Sequence, residues 1–129
     1  MPLVRIDVQE GRTPAELRKI ADGVQDVMLD VFAAPSRDRY QIITEHPLGH
    51  IIAEDTDLGF ERTDGVVVIE IVQQGRSPDQ KSAAYRELAA RLHAKCGVEP
   101  TDLIVSVTSN RREDWSFGRG EAQFLLGRL

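Results

Sequence analysis

One cysteine, Cys96, leaves no partner for an internal disulfide. A reducing cytoplasm is therefore the expected setting, and Cys96 itself reads as a small buried hydrophobe. No apolar run reaches the roughly 18 residues of a membrane-spanning helix, and residues 1–20 carry several charges without the apolar centre of a signal peptide. Basic charge is also missing. The formal net charge is −5, whereas a nucleic-acid binder presents a positive field to phosphates. Phosphate-binding glycine loops, a nucleophilic-serine elbow and a zinc signature are all absent, and "GRG" (118–120) lacks the flanking strand and helix of a phosphate loop. Histidine is scarce. His46 and His50 are held off a common helix face by Pro47 and Gly49, and His93 falls near a helix end, where it serves the dipole. No metal or cofactor is expected.

What is present is a repeat. Displaced by 64 positions, the chain aligns with itself without a gap: "VQEGRTP" (8–14) falls on "VQQGRSP" (72–78), Asp38 on Asp102, and Thr44 on Thr108. Each half starts with a strand, "LVRIDV" (3–8) and "VVVIEIV" (66–72), in which apolar residues recur at strand spacing. A helix start follows each. Thr13 and Ser77 are N-cap residues, Pro14 and Pro78 suit the first helical position, and Glu16 and Gln80 complete capping boxes. Leu17, Ile20, Val24, Val27, Met28 and Val31 mark the buried stripe of the first helix; Ala84, Leu88, Leu92 and Cys96 mark that of the second. Pro35 ends the first helix, and Gly97 with Pro100 ends the second. A second strand follows in each half, "RYQIITE" (39–45) and "DLIVSVT" (102–108).

A helical crossover between two strands makes them parallel, so each half is a β-α-β unit. The expectation is an α/β (α+β) fold: two duplicated units forming a four-stranded mixed sheet with two helices on one face. The chain reads as a single domain over 1–129. Unit one covers about 2–46, a linker strand and loop 47–65, unit two about 66–109, and a C-terminal arm 110–129. The linker carries a short extra strand and an Asp64-Gly65 turn. Because "VVVIEIV" and "LIV" are apolar on both sides, both faces of the sheet are expected to be covered, and self-association covers the second.

The chain opens "MPLVRIDV". Met-Pro is a start from which the initiator methionine is normally cleaved, which makes Pro2 a secondary amine. Such an amine has an unperturbed pKa near 8, which burial or a nearby cation lowers, so it serves as acid, base or carbonyl-trapping nucleophile near neutral pH. Other candidates have bland readings when taken alone. Arg76 has a twin in Arg12 and reads as a feature of the helix start. Asp38, with Asp102 as its twin, reads as turn chemistry, and Trp115 and Phe117 as core or interface aromatics.

Together these stretches resemble one family. Pro2 at the start of a strand in a duplicated β-α-β chain is similar to the tautomerase superfamily. "EGRTP", "DRYQIITEH", "EDTDLGFERT", "QQGRSP" and "DWSFGRGEAQF" resemble malonate semialdehyde decarboxylase and its relatives along essentially the whole chain. The resemblance implies a tautomerase/MIF-like fold assembled as a homotrimer, or as a hexamer as in other members, with the proline in a pocket between subunits and no cofactor. It implies Pro2, Arg76 and Asp38 as catalytic residues, with Arg76 handling the substrate carboxylate. Gln74, Tyr40, Trp115 and Phe117 would contact the substrate. The family's decarboxylase carries a second arginine where this chain has Gln74, which donates a hydrogen bond but brings no charge. The implied activity is decarboxylation of a small 3-oxo acid. A tautomerase or hydratase of another small oxo acid is the alternative, and a non-catalytic trimeric interaction protein the alternative of another class. The implied partners are a small carboxylate and further copies of the chain, not nucleic acid or membrane.

Overall fold

The computed structural model describes residues 2–129. Met1, whose removal the sequence predicts, lies outside the described residues. Strand β1 (Leu3–Gln9), helix α1 (Pro14–Asp30) and strand β2 (Tyr40–His46) form the first unit; β3 (Val67–Gln73), α2 (Pro78–Cys96) and β4 (Leu103–Ser109) form the second. The four strands make one mixed sheet in the order β2-β1-β3-β4. β1 runs parallel to β2, β3 parallel to β4, and the two units meet antiparallel along β1 and β3.

The helix ends form where their side chains dictate. Ser77 and Gln80 satisfy each other's backbone N–H groups in a full capping box. In α1 only half of the expected box forms: Thr13 accepts from Glu16 N–H, while the Glu16 carboxylate receives the Thr13 hydroxyl. Gly97 closes α2 at φ +67, and its N–H bonds back to His93 O and Leu92 O. Both helices cover one face of the sheet. Val4, Ile6 and Val8 of β1 and Val67, Ile69 and Ile71 of β3 are buried there against Ile20, Val24, Ala84, Leu88 and Leu92. Gly23 lets the helices approach, because a Cβ at that position would stand 2.9 Å from Leu92 Cδ2. On the opposite face Leu3, Val68, Val72 and Ile104 are half-buried, and Arg5 and Glu70 pair across the strands in the exposed middle. In the single chain this face is uncovered.

The repeat is not gapless. Val4, Ile6 and Val8 face the helices, and so do Val67, Ile69 and Ile71, so the strands correspond at a displacement of 63 positions. Ile6 pairs with Ile69, its own equivalent, and the pseudo-twofold axis passes between them. β2 and β4 correspond at a displacement of 62, since Val4 lies opposite Gln41 and its equivalent Val67 opposite Leu103. The helix starts at Pro14 and Pro78 keep the displacement of 64. The second unit thus carries one more residue between its first strand and its helix and two fewer between the helix start and its second strand. A one-residue slip reverses which side chain faces which side. Val8 is buried under the helices while Val72, its match in the alignment, faces the other way. Asp38 and Asp102, and Thr44 and Thr108, are likewise not equivalent in the sheet.

The linker differs from expectation as well, because no strand forms between His46 and Val67. The "HIIAE" segment (50–54) has no ladder partner among the described residues. Side chains hold the loop instead. Gln9 Oε1 accepts from Gly49 N–H (2.7 Å) and Gln9 Nε2 donates to Asp64 O (3.1 Å). Arg62 donates to Glu54 O and Thr101 O, both at 2.7 Å. Asp102, 2% exposed, accepts from Thr63 N–H (2.6 Å) and the Thr63 hydroxyl (2.5 Å). The Asp64-Gly65 turn forms as expected. After β4 the arm runs through a 3-10 turn at Arg112–Asp114 and irregular turns to Leu129. No helix among the described residues is long and apolar enough to cross a membrane.

Candidate active site

The strand order draws three distant segments to one end of the sheet. Leu3 lies between Tyr40 of β2 and Val72 of β3. Pro2, one residue earlier and buried, therefore lies at the end where β2 begins after Asp38 and β3 runs out towards Gln74 and Arg76. Parallel pairing on one side of β1 and antiparallel pairing on the other make this the meeting point. No local feature of any one segment would do so.

Asp38 is 8% exposed, and Arg76 is half-buried. Burial raises the Asp38 carboxyl above its ordinary range, while positive charge at the amino terminus and at Arg76 opposes the rise. Burial in turn lowers the Arg76 guanidinium, and the nearby Asp38 charge opposes that. Arg76 leans over the Phe32 ring, with Cζ 5.3 Å from the centroid, and donates from Nη1 to Gln74 O. Its Nε, like Gln74 Oε1, is buried without a hydrogen-bond partner among the described residues. Arg12 behaves differently: its Nη2 donates to Gly65 O at 2.8 Å, which ties it to the linker turn. The extra residue before α2 separates the fates of the two arginines that the repeat aligns. Arg12 closes a loop, whereas Arg76 stays beside Phe32 and is coupled to Asp38.

The C-terminal arm adds an aromatic wall. Phe117 stacks on Tyr40 (centroids 5.6 Å, 24°) and on Trp115 (5.4 Å, 11°), and meets Phe124 edge-on (5.7 Å, 75°). Trp115 Nε1 donates to Asn110 Oδ1 at 2.8 Å, which fixes the indole. Beside this stack lies a cavity of about 350 Å³, lined by Asp38, Tyr40 and Phe117 together with Pro35, Gln123 and Leu129 and two arginines, Arg37 and Arg128. Of the seven residues singled out in the sequence, Asp38, Tyr40 and Phe117 line the cavity. Trp115 backs Phe117, and Pro2, Gln74 and Arg76 lie outside the lining. Sequence reasoning missed Phe32 beneath Arg76, Phe124 behind Phe117, and Asn110 on the indole. None has a local signal, because only tertiary packing makes them neighbours.

Two of the three histidine side chains have structural partners. His46 Nε2 is 2.7 Å from Asp7 Oδ1 on the neighbouring strand, and His93 Nδ1 is 3.2 Å from Val98 O. No three His, Cys, Asp or Glu side chains converge as metal ligands among the described residues. Cys96 is half-buried at the edge of the core, and burial raises its thiol, as befits an unreactive packing residue.

A buried proline at the head of a strand, a desolvated carboxyl coupled to an arginine, and an aromatic wall thus lie at one end of the sheet. Two family models, both described as tautomerase enzyme, match residues 38–118 and 2–61. The probable tautomerase YrdN of Bacillus subtilis (strain 168) is 50% identical over 129 residues, the full length of both chains. A crystal structure of malonate semialdehyde decarboxylase shares 40% identity at a TM-score of 0.95, covering 98% of each chain. FG41 malonate semialdehyde decarboxylase inhibited by 3-bromopropiolate shares 42% at 0.95, covering 98% of this chain and 97% of that one. With a family model spanning more than half its length and a full-length relative sharing half its residues, the chain belongs to the tautomerase family of enzymes.

Proposed function

We propose that this enzyme decarboxylates a small 3-oxo acid such as malonate semialdehyde, with Pro2 acting as an amino-terminal secondary amine once Met1 is removed. The observation that carries the reading is the meeting of Pro2, Asp38 and Arg76 at one end of the sheet, beside the Trp115–Phe117–Tyr40 stack. The likeness to two malonate semialdehyde decarboxylases along the whole chain supports it.

Loss of carbon dioxide from a 3-oxo acid leaves an electron pair that the carbonyl must accept. Protonated Pro2, hydrogen-bonded to the aldehyde oxygen, stabilises the enolate that forms. A neutral Pro2 that condenses to an iminium with loss of water is a stronger sink, and hydrolysis later releases the aldehyde. Arg76 holds the carboxylate so that the breaking C–C bond stands perpendicular to the carbonyl plane. A single cation suits this task, since holding the ground-state charge harder gains no rate. Trp115 and Phe117 form an apolar wall that favours conversion of the carboxylate into neutral carbon dioxide, and Asp38 orients Pro2 or a water. Gln74 and Tyr40 complete the substrate contacts. The half-buried apolar side chains on the open sheet face support a homotrimer.

Gln74 also favours a second reading, tautomerisation or hydration of another small oxo acid, because it leaves the arginine end of the site with one charge. A substrate panel run on wild type and Pro2→Ala separates the two. Malonate semialdehyde turnover that falls at least about 100-fold in Pro2→Ala supports decarboxylation through the amine. Activity with phenylenolpyruvate alone selects the tautomerase, and an active protein that keeps Met1 removes Pro2 from the chemistry. Borohydride trapping read by mass spectrometry distinguishes the iminium route from the hydrogen-bonded one.

A further inference from the structure

Ser109 ends β4, Asn110 follows it, and both bond to Gln73 at the end of β3. Ser109 Oγ accepts from Gln73 Nε2 at 2.9 Å and from Lys81 Nζ at 3.2 Å, which seats the end of β3 on the first turns of α2. Asn110 N–H donates to Gln73 O at 2.8 Å, and Asn110 Oδ1 accepts from Trp115 Nε1 at 2.8 Å. An indole has one donor, and Asn110 takes it. Gln73 is fully buried, so its bonds here are shielded from water. The next residue, Gln74, accepts from Arg76 Nη1 through its carbonyl oxygen. On the other side Trp115 stacks on Phe117, and Phe117 on Tyr40. One run of contacts thus leads from the aromatic wall through Asn110 to the turn that carries Arg76.

Resting on the reading of Arg76 and the aromatic wall as the place of the substrate carboxylate, we propose that Asn110 is a positioning residue that holds the wall in register with the Gln74–Arg76 turn. Its carboxamide fixes Trp115, and through the stack Phe117. Its backbone N–H fixes the strand end from which Arg76 departs. Cation and apolar wall must face one carboxylate in a single geometry, and misplacement by even 1 Å costs rate. A carboxamide oxygen suits the task because it is a neutral acceptor and brings no anion towards Arg76.

The test is a double-mutant cycle on the intact assembled protein, with two readouts. Trp115 is the chain's one tryptophan, so its emission reports the indole directly. Asn110→Ala should shift that emission to the red and lower its anisotropy, and Asn110→Asp, which keeps an acceptor, should restore both. Kinetics use whichever oxo acid the substrate panel identifies. Asn110→Ala should lower kcat/KM about fivefold, the effect of one neutral hydrogen bond. Trp115→Phe, which lacks the donor, should lower it at least as much. In the Trp115→Phe background Asn110→Ala should cost less than about twofold, because the bond it breaks is already gone. Asn110→Leu, similar in size and without an acceptor, takes the place of the alanine variant should that one fail to fold. Unchanged emission without the acceptor overturns the proposal, as does an Asn110→Asp variant that emits like Asn110→Ala. So do an unchanged kcat/KM and losses that multiply in the double variant. A protein that turns over no oxo acid refutes the proposed reaction instead, and the emission still decides whether Asn110 holds Trp115.

Discussion

Asp38 and Asp102 are aligned by the repeat yet should respond oppositely to substitution. Asp102 is 2% exposed and holds both the N–H and the hydroxyl of Thr63. Hydrogen bonds to a charged group contribute about 1.5–3 kcal/mol each. Thr63 is itself exposed, so water recovers part of the loss when the acid is removed. Asp102→Ala should therefore cost about 3 kcal/mol, or roughly 10 °C in Tm for a chain of this length. Asp38 carries the reverse sign. Its folded-state pKa lies above the ordinary value of 3.8 because burial disfavours the charged form. The fold therefore gains from a protonated Asp38 at acidic pH, and that gain is lost as pH rises through the raised value. At neutral pH the buried charge is a net cost. Asp38→Asn should leave Tm unchanged or higher at pH 7, with the difference from wild type closing towards pH 3.8, while kcat/KM falls at least about tenfold. Calorimetry across pH at one fixed protein concentration, needed because an oligomer's Tm depends on concentration, checks both variants. An Asp38→Asn protein that melts as early at pH 7 as Asp102→Ala would refute this account and make both aspartates turn residues.

Arg76→Ala should lower kcat/KM at least tenfold, about 1.4 kcal/mol, with little change in Tm. Kinetics with the substrate identified in the panel decides this, and an unchanged value removes Arg76 from the site. Gly23→Ala places a methyl 2.9 Å from Leu92 Cδ2. The overpacking should outweigh the gain in helix propensity and destabilise by about 1–2 kcal/mol, measured by urea unfolding; a stabilised variant would show that α1 and α2 shift apart freely. Gly97→Ala forces a side chain into the left-handed cap at φ +67 and should cost about 1 kcal/mol by the same assay.

The local chemistry of the chain was legible because it is read from neighbours in sequence. Thr13, Ser77, Pro14, Pro78 and Gly97 mark helix ends through their own hydrogen bonds and backbone preferences. Alternating valines and isoleucines mark β1 and β3, and a crossover helix forces parallel pairing. The expected linker strand failed because a strand requires a ladder partner, which the residues of "HIIAE" do not specify. The slip from 64 positions to 63 between β1 and β3, and to 62 between β2 and β4, was hidden for a related reason. Identical turn residues dominate the alignment, whereas the face of a strand is decided by which side chains the helices cover.

The sequence by itself determined the elements, their β-α-β order and the resemblance that singles out Pro2, Asp38 and Arg76. Tertiary structure alone decided that β1 lies between β2 and β3, which brings the chain's start, residue 38 and residue 76 together. It also decided that Arg12 is bound to Gly65, that the buried Arg76 Nε has no hydrogen-bond partner among the described residues, and that Phe32 underlies Arg76. The physical reason is common to all of these. Propensity and capping act over a few residues, whereas burial, charge coupling and the availability of a guanidinium depend on groups that only the closed sheet brings within reach.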